Sequence, residues 1–446
     1  MDQTAAQAKP FQQDNAYAWL VVGILCVVSV VGYIDRQVIN LLVDPIKADL
    51  NINDTQIGLL QGFSFVLLYA VAAIPVAWVA DNGKRTTVIT VGIICWSLAT
   101  FSCGLATTFL LMFLARTMVG LGEVTLAPSG YSLLGDYFSK ERVGLAISFL
   151  TGAGFLGSGL AYIIGGYIVG WLSHQDVYTL PVLGDLKPWQ LVFMVVSVPG
   201  LLLALVMLLV KEPPRQNSGR DDAAADARKS FADLFRYIRA NARLFAGVFF
   251  GFSLIAAATF AVINWTPAFL TRRFGILPED AGPIFGLVVL FSTWPGIISG
   301  GFIASFLMRR GVLSANLVVS IAAAIAALGF ALLFPLMGSA NASLILLGPT
   351  LFFAAMPFGC GTATLPIITP NRLRAQVVAV YLLIANLLGL TLGPTLVGAI
   401  TDFVFQDPTQ IGLSMAIAAP LLYGIGAILV CFSVAPYRDV IAKQQA

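Results

Sequence analysis

The sequence predicts an all-α membrane protein with twelve transmembrane helices in two pseudo-symmetric six-helix bundles. Composition is the first observation: 58% of the 446 residues are hydrophobic and 11% are charged, whereas soluble domains carry about 25% charged residues. The second is a series of apolar stretches of about 20 residues, the length that crosses a bilayer as a helix. The third is a glycine-containing sequence motif in the first half of the chain that recurs in the second half.

Twelve stretches have the length and composition of membrane spans. Those in the first half are predicted at 17–38, 57–80, 88–106, 109–133, 144–172 and 189–210. Those in the second half are predicted at 245–268, 283–307, 315–337, 342–368, 377–400 and 413–436.

Basic residues in the loops predict the orientation. With both termini in the cytoplasm, the inner segments hold 19 Lys and Arg and the outer loops hold four. Because inner loops are enriched in these residues, we expect cytoplasmic termini, and in a bacterial cell the inner membrane. The predicted domains are an N-tail, a first bundle, a cytoplasmic linker, a second bundle and a C-tail, at 1–16, 17–210, 211–244, 245–436 and 437–446.

The linker contains a segment with one apolar face. Ser230, with Asp233 three residues later, favours a helix start, and apolar residues at 231, 234, 235 and 238 share one side. This pattern is typical of a helix lying on the inner leaflet, but it also fits the cytoplasmic beginning of the seventh span.

The sequence argues against enzyme chemistry. Its only histidine, His174, lies in a polar loop, and the five cysteines have no metal-ligand spacing. There is no nucleophile–base constellation and no phosphate-cradling Gly-Lys-Ser/Thr loop. We therefore expect no cofactor or metal, no ATP-driven pump and no nucleic-acid partner. The expected partners are the bilayer, protons and an amphiphilic small molecule, for a protein that works as a monomer.

An internal repeat supports the division into halves. The segment from Gly157 to Gly166 in the fifth span corresponds to Gly389 to Gly398 in the eleventh. Six-span halves joined by a long linker are typical of transporters that expose a central site alternately to each side.

At this point the chain resembles the major facilitator superfamily over almost its whole length. The segment Asp81-Asn82-Gly83-Lys84-Arg85 is similar to that superfamily's loop between helices 2 and 3. The resemblance implies that Asp81, Lys84 and Arg85 latch an inner gate, which we expect Asp136 and Arg142 to join. For Asp136 and Arg142, the alternative is that they lie in an ordinary solvated turn.

Four further segments resemble the spinster-like branch of the superfamily, whose animal members export sphingolipids or lysophospholipids. These segments are Tyr33-Ile34-Asp35-Arg36, Gly58-Leu59-Leu60-Gln61, Gly120-Leu121-Gly122-Glu123 and Gly157-Ser158-Gly159-Leu160. The resemblance implies a lipid-like substrate.

Charged residues inside the predicted spans all belong to the first half. They are Asp35, Arg36, Arg116 and Glu123, and each costs about 2.5–3.5 kcal/mol near the bilayer centre. Arg116 and Glu123 share a helix face about 10 Å apart, so each is expected to meet a group on the first span. We expect Asp35 and Glu123 to carry protons, while a permanent ion pair that fixes helix packing is the alternative.

The substrate is expected to lie between a charged first half and an apolar second half. We predict head-group contact by Arg116 and Arg36, and contact by Asn264, Trp265 and Trp294 from the second half. Such a cavity suits a lysophospholipid or a sphingoid phosphate. A proton-coupled symporter of a small organic anion is the alternative within transporters, and a receptor or scaffold without transport is the alternative outside them.

Overall fold

The computed structural model describes residues 14–139, 141–215, 233–370 and 373–445. Within these ranges, twelve helices are long and apolar enough to cross a membrane. This agrees with the predicted all-α fold and with the predicted number of spans.

The first half contains spans 1 to 6. Polar side chains begin several of its helices, since Asn15 accepts from the Ala18 N–H and Asn53 forms a capping box with Gln56. The helices are Ala16–Gln37 (span 1), Asp54–Gln61 with Phe63–Asn82 (span 2), Arg85–Cys103 (span 3), Phe109–Glu123 with Leu126–Tyr137 (span 4), Val143–Leu172 (span 5) and Pro188–Leu208 (span 6).

Short elements join these spans on the side away from the chain termini. They are a 3₁₀ turn at Val38–Leu41, a helix at Val43–Leu50 and an antiparallel hairpin of β1 (Tyr178–Leu180) and β2 (Gly184–Leu186). We call this side the opposite face. The side that carries both termini is the termini face.

The second half contains spans 7 to 12. Its helices are Ala242–Phe274 (span 7), Pro278–Arg309 (span 8), Ala315–Leu333 (span 9), Ala340–Ile368 (span 10), Arg374–Ala399 (span 11) and Ile411–Gln445 (span 12). Short 3₁₀ turns occur at Phe334–Leu336 and Pro408–Gln410, and a π-helix at Ile400–Phe405 ends span 11.

Several helices continue beyond the predicted apolar stretches. Span 2 begins at Asp54, span 11 continues to Phe405, and span 12 includes most of the predicted C-tail. An apolar stretch marks the part of a helix in hydrocarbon, whereas backbone hydrogen bonds carry the helix on into polar surroundings.

The linker is described only at its two ends. Residues 233–240 form a separate short helix, since Asn241 departs from helical geometry before span 7 begins. The short helix is therefore separate from span 7, and its predicted position on the inner leaflet stays a prediction. The predicted start at Ser230 lies outside the described residues, as do most of the N-tail and 216–232 of the linker.

The predicted repeat occupies equivalent places in the two halves. Gly157 of span 5 packs against span 1, where an added Cβ would lie 3.1 Å from Val30 Cα. Gly393 of span 11 packs against span 7, where an added Cβ would lie 1.8 Å from the Ala257 carbonyl oxygen. Because span 7 corresponds to span 1 and span 11 to span 5, the two bundles share one packing arrangement.

Candidate functional site

An ion pair joins spans 1 and 4 inside the first half. The Arg36 guanidinium donates a hydrogen bond to the Glu123 carboxylate. Its central carbon also lies 4.1 Å from the ring centroid of Phe65 and 5.0 Å from that of Tyr33, within range of cation–π attraction. The partner that Glu123 meets on span 1 is therefore Arg36.

Arg116 lies wholly inside the first half. Its Nη1 donates to the Asp35 carbonyl and its Nη2 to the Arg36 carbonyl, each at 3.1 Å. These carbonyls belong to the last turn of the span 1 helix, where acceptors lack partners within the helix. Because Arg116 is 0% exposed, its guanidinium stabilises the end of span 1 instead of facing a cavity.

Asp35 is also fully buried, one residue before Arg36 on span 1. Neither of its carboxylate oxygens has a hydrogen-bond partner among the described residues. The Thr100 hydroxyl and the Trp96 indole nitrogen on span 3 lie beside this carboxylate as hydrogen-bond donors, although neither contact has the geometry of a full hydrogen bond. Asp35 thus sits among polar groups that are buried but not mutually satisfied.

Two adjoining cavities lie between the halves and share Tyr33, Arg36, Phe155 and Asn386. The first, of about 260 Å³, is lined mainly by spans 1 to 5 and contains Arg36 and Glu123. The second, of about 200 Å³, is lined mainly by aromatic and aliphatic side chains of spans 7, 10 and 11. Together they form one site, the central cavity, with an ionic wall and an apolar wall.

The predicted contacts of the second half lie outside the lining of the central cavity. Trp265 is 0% exposed and its indole N–H donates to the Pro394 carbonyl at 2.9 Å. Asn264 is 3% exposed and joins a buried polar cluster. Trp294, 40% exposed, packs against span 5, 3.7 Å from the place where a Cβ on Gly152 would lie. Arg36 is the predicted substrate residue that the structure brings to the cavity.

The buried polar cluster connects the two halves beside the Val38–Leu41 turn. Asn40 Nδ2 donates to Gln37 Oε1 at 2.8 Å, to the Tyr162 hydroxyl at 2.8 Å and to Asn264 Oδ1 at 3.4 Å. Gln61 Nε2 donates to the Asn264 carbonyl at 3.3 Å. These uncharged groups join spans 1, 2, 5 and 7.

At the opposite face, an arginine of the second half binds acidic residues of the first. Arg272 Nε donates to Asp44 at 2.9 Å, while its Nη1 and Nη2 donate to the two oxygens of Asp54 at 3.0 and 2.8 Å. Lys47 Nζ lies 2.9 Å from the same Asp54 carboxylate. We call Arg272, Asp44, Asp54 and Lys47 the opposite-face latch.

Asp402 makes a second connection beside the latch, and here the acidic side chain belongs to the second half. Its carboxylate, at the end of span 11, accepts from the backbone N–H groups of Asp54 at 3.1 Å and Thr55 at 2.6 Å. The Thr55 hydroxyl also donates to it at 2.6 Å. A negative charge is favourable at the N-terminus of a helix, so Asp402 attaches the start of span 2 to the second half.

The hydrogen bonds and ion pairs that join described residues of the two halves lie in the buried polar cluster, at the latch and at Asp402. Close backbone contacts follow the same distribution: a Cβ on Gly62 would lie 1.9 Å from the Leu390 carbonyl, and one on Gly166 would lie 2.5 Å from Pro283. The conformation is therefore closed at the opposite face.

A family model described as Major Facilitator Superfamily matches residues 25–394. The chain belongs to the Major Facilitator Superfamily. It is similar to an MFS-type efflux pump of Mycolicibacterium smegmatis, with 26% identity over 96% of this chain and 95% of that protein. It is also similar to the sphingosine-1-phosphate transporter SPNS2 of Xenopus tropicalis, with 27% identity over 92% of this chain and 79% of that protein.

Among solved structures, the fold is similar to that of a bacterial homolog to the human lysosomal transporter Spinster, in an inward-facing and unoccupied conformation. The TM-score is 0.75, with 25% identity and coverage of 98% of each chain. The protein is accordingly a multi-pass membrane transporter of the Major Facilitator Superfamily, similar to spinster transporters, and not an enzyme. This confirms the resemblance expected from the sequence.

The superfamily's loop between spans 2 and 3 lies at the termini face, and its charges connect elements of the first half. Arg85 pairs with Asp136 of span 4 and with Glu212 after span 6, its Nε lying 2.7 Å from the latter. Glu212 also accepts from the Thr86 N–H at 2.9 Å. Burial acts to raise the pKa of the Glu212 carboxyl, but these hydrogen bonds outweigh burial and lower that pKa below its ordinary value.

The other predicted gate residues are placed around this cluster. The backbone carbonyl of Asp81 accepts from Arg215, while Lys84 and Arg142 are exposed at helix starts. The structure thus brings Arg85 and Asp136 together across the ends of spans 3 and 4, and a gate role for this cluster stays a prediction. While the opposite face is closed, the cluster of Arg85, Asp136 and Glu212 holds spans 3, 4 and 6 to one another.

Sequence reasoning missed the opposite-face latch and Glu212. A signal was available, because Arg272 and Lys47 are two of the four basic residues predicted on that face, and Lys47 lies between Asp44 and Asp54 in the sequence. Which of these charges meet across the two halves depends on the packing of distant spans, which one sequence does not reveal.

Proposed function

We propose that the protein is a secondary active transporter of an amphiphilic, lipid-like substrate of the lysophospholipid or sphingoid-phosphate type. It works by alternating access and couples transport to protons through Asp35 and Glu123. The observation that carries the proposal is the central cavity, with an ion pair on one wall and an apolar surface on the other.

The ionic wall would bind the substrate's head group. Arg36 lines both parts of the cavity and presents a guanidinium, which forms two-pronged hydrogen bonds with phosphate or carboxylate groups. Because Arg116 is buried against backbone carbonyls, we assign the head-group role to Arg36. Arg116 then positions Asp35 and Arg36.

The apolar wall would bind the hydrocarbon chain. Phe252, Phe260, Phe358 and Leu390 line the second part of the cavity, and burial of apolar surface contributes about 25 cal/mol per Å². A small organic anion has no hydrocarbon chain to bury against this wall. The similarity to a protein named as a sphingosine-1-phosphate transporter supports the same substrate class.

Competition for Arg36 gives a route to proton coupling. An anionic head group that pairs with Arg36 displaces Glu123, and an ionised carboxylate left buried without its cation carries a large free-energy penalty. Proton binding at Glu123 therefore accompanies substrate binding. Asp35, which precedes Arg36 in the sequence and is fully buried beside Thr100 and Trp96, is the second proton site in this proposal.

Alternating access would require the opposite-face latch to release and the termini face to close. The excess of basic residues in segments at the termini face supports a cytoplasmic location for that face. The conformation described here would then be inward-facing, with the protein working as a monomer in the cell membrane.

Flux measurements in liposomes of the purified protein test the proposal. A labelled lysophospholipid and a labelled short dicarboxylate are compared, with and without a proton gradient. We expect gradient-sensitive movement of the lysolipid, strongly reduced in Arg36→Gln and retained in the exposed control Arg273→Gln. Movement of the dicarboxylate alone would overturn the lipid assignment and favour the organic-anion symporter.

A further inference from the structure

An apolar groove lies on the surface of the second half, near the termini face. One wall is the short helix 233–240, and the other is formed by spans 7 and 11. The groove has a volume of about 490 Å³ and shares no lining residue with the central cavity. It is thus a separate feature of the molecule.

The short helix is held firmly against the second half. The Tyr237 hydroxyl donates to the Ile368 carbonyl at the end of span 10. The Tyr237 ring also packs edge-on against Phe245 of span 7, with centroids 5.7 Å apart. With Tyr237 turned toward the bundle, Leu234, Phe235 and Ile238 line the groove.

The groove has a cation at its rim. Arg239 follows Phe235 by one helical turn and lines the groove, and none of the described residues forms an ion pair with it. Arg236, three residues before Arg239, is not part of the lining and pairs with Asp233 at 3.1 Å. One arginine is therefore neutralised within the chain, while the other is available to an anion at the mouth of the groove.

The remaining lining continues from this cation along the membrane-spanning helices. It follows span 7 from Ala242 to Phe250, about 12 Å at 1.5 Å per residue, with Val380 and Ile384 from span 11 beside it. Phe250 is 46% exposed, so the groove is accessible from the surface that faces hydrocarbon. A hydrocarbon chain with an anionic group at one end matches this arrangement.

We propose that the groove binds an anionic phospholipid, with one acyl chain along span 7 and the phosphate head group at Arg239. Arg243, four residues after Arg239 and exposed, adds a second basic side chain that attracts anionic lipids to the same leaflet. The bound lipid fastens helix 233–240 to spans 7 and 11. It is a structural ligand, distinct from the transported substrate.

Native mass spectrometry of the full chain in detergent tests the site, with dioleoyl-phosphatidylglycerol and dioleoyl-phosphatidylcholine as matched probes. We expect wild type and Arg236→Gln to retain one phosphatidylglycerol about five- to tenfold more tightly than phosphatidylcholine. Arg239→Gln should lose that preference while still binding either lipid weakly. Ala246→Trp, which fills the groove, should lose both.

Three results would overturn the proposal. They are equal affinity for the two lipids in wild type, an unchanged preference in Arg239→Gln, or an equal loss in Arg236→Gln, which would indicate diffuse attraction by the basic segment. If Ala246→Trp fails to fold by size-exclusion chromatography, Val380→Phe fills the same groove from span 11 and must give the same loss. Because the readout is lipid retention, its outcome is independent of whether transport of a lysolipid is found.

Discussion

Removing the opposite-face latch should shift the protein toward conformations that are open at that face. The substitution is Arg272→Gln, which deletes the cation that joins span 7 to Asp44 and Asp54. The side chains of Arg272 and Asp54 are 7% and 0% exposed, so solvent screens this pair weakly. The change therefore removes a contact that exists only while the opposite face is closed.

The size of the shift follows from the contacts that remain. Breaking a buried ion pair typically costs 3–5 kcal/mol, but Asp54 keeps Lys47 at 2.9 Å, so we expect about 2–3 kcal/mol. At 1.4 kcal/mol per factor of ten, that changes the equilibrium by about 30- to 140-fold. A minor open state of about 1% would rise to roughly 20–60% of the molecules.

Distances between two spin labels, measured by double electron–electron resonance, would detect this change. Labels at Ala48 and Thr409 place one probe on each half at exposed positions of the opposite face. We expect a second, longer distance in Arg272→Gln and the wild-type distribution in Arg273→Gln, the exposed neighbouring arginine. Identical distributions in Arg272→Gln and wild type would refute the assignment of Arg272 as a latch, and so would an equal shift in both variants.

Three further substitutions have defined outcomes. Glu123→Gln should abolish accumulation of substrate driven by a proton gradient in liposomes, whereas the exposed Glu141→Gln should retain it; gradient-driven accumulation in Glu123→Gln would contradict the coupling proposal. Gly62→Ala places a Cβ 1.9 Å from a backbone carbonyl of span 11, so turnover and melting temperature should both fall, while Gly23→Ala, with nothing within 4 Å, should leave both near wild type or slightly raised. Because hydrogen bonds lower the pKa of Glu212 below its ordinary 4.5, its ionised form stabilises the fold above that pH, and this stabilisation is lost as pH falls through the folded-state pKa. Glu212→Gln should therefore lower the melting temperature at pH 7, with a difference that shrinks as the pH falls below 4.5; a pH-independent difference would exclude this explanation.

Hydropathy and the repeat predicted the fold well, because the bilayer imposes strong rules on length and composition. The helices whose ends were missed, such as span 12, continue past the apolar stretch into polar surroundings. The short helix 233–240 was one of two interpretations of the linker. Asn241 separates this helix from span 7, because its backbone departs from helical geometry, while the location of the helix on the inner leaflet stays a prediction.

The charged residues inside the spans, and span 1 as the source of partners for Arg116 and Glu123, were predicted, but which groups pair was not. A charge in an apolar stretch is visible in one sequence, whereas the pairing of Arg36 with Glu123 depends on the rotation of spans 1 and 4. Arg116 is an example. Its position in an apolar stretch made it a candidate for head-group contact, but its guanidinium donates to the carbonyls of Asp35 and Arg36. Trp265 and Asn264 were expected at the cavity for their polarity, yet Asn264 uses it in a contact with Asn40 of the first half and Trp265 uses it in a contact with span 11 of its own half.

Simultaneous recording of substrate and proton movement tests the central claim most directly. Liposomes that contain the protein and an internal pH-sensitive dye receive a lysophospholipid on one side, without an imposed gradient. The account predicts a substrate-dependent pH change in wild type that disappears in Asp35→Asn. Lysolipid transport with no proton movement, or an equal pH change in Asp35→Asn, would contradict it.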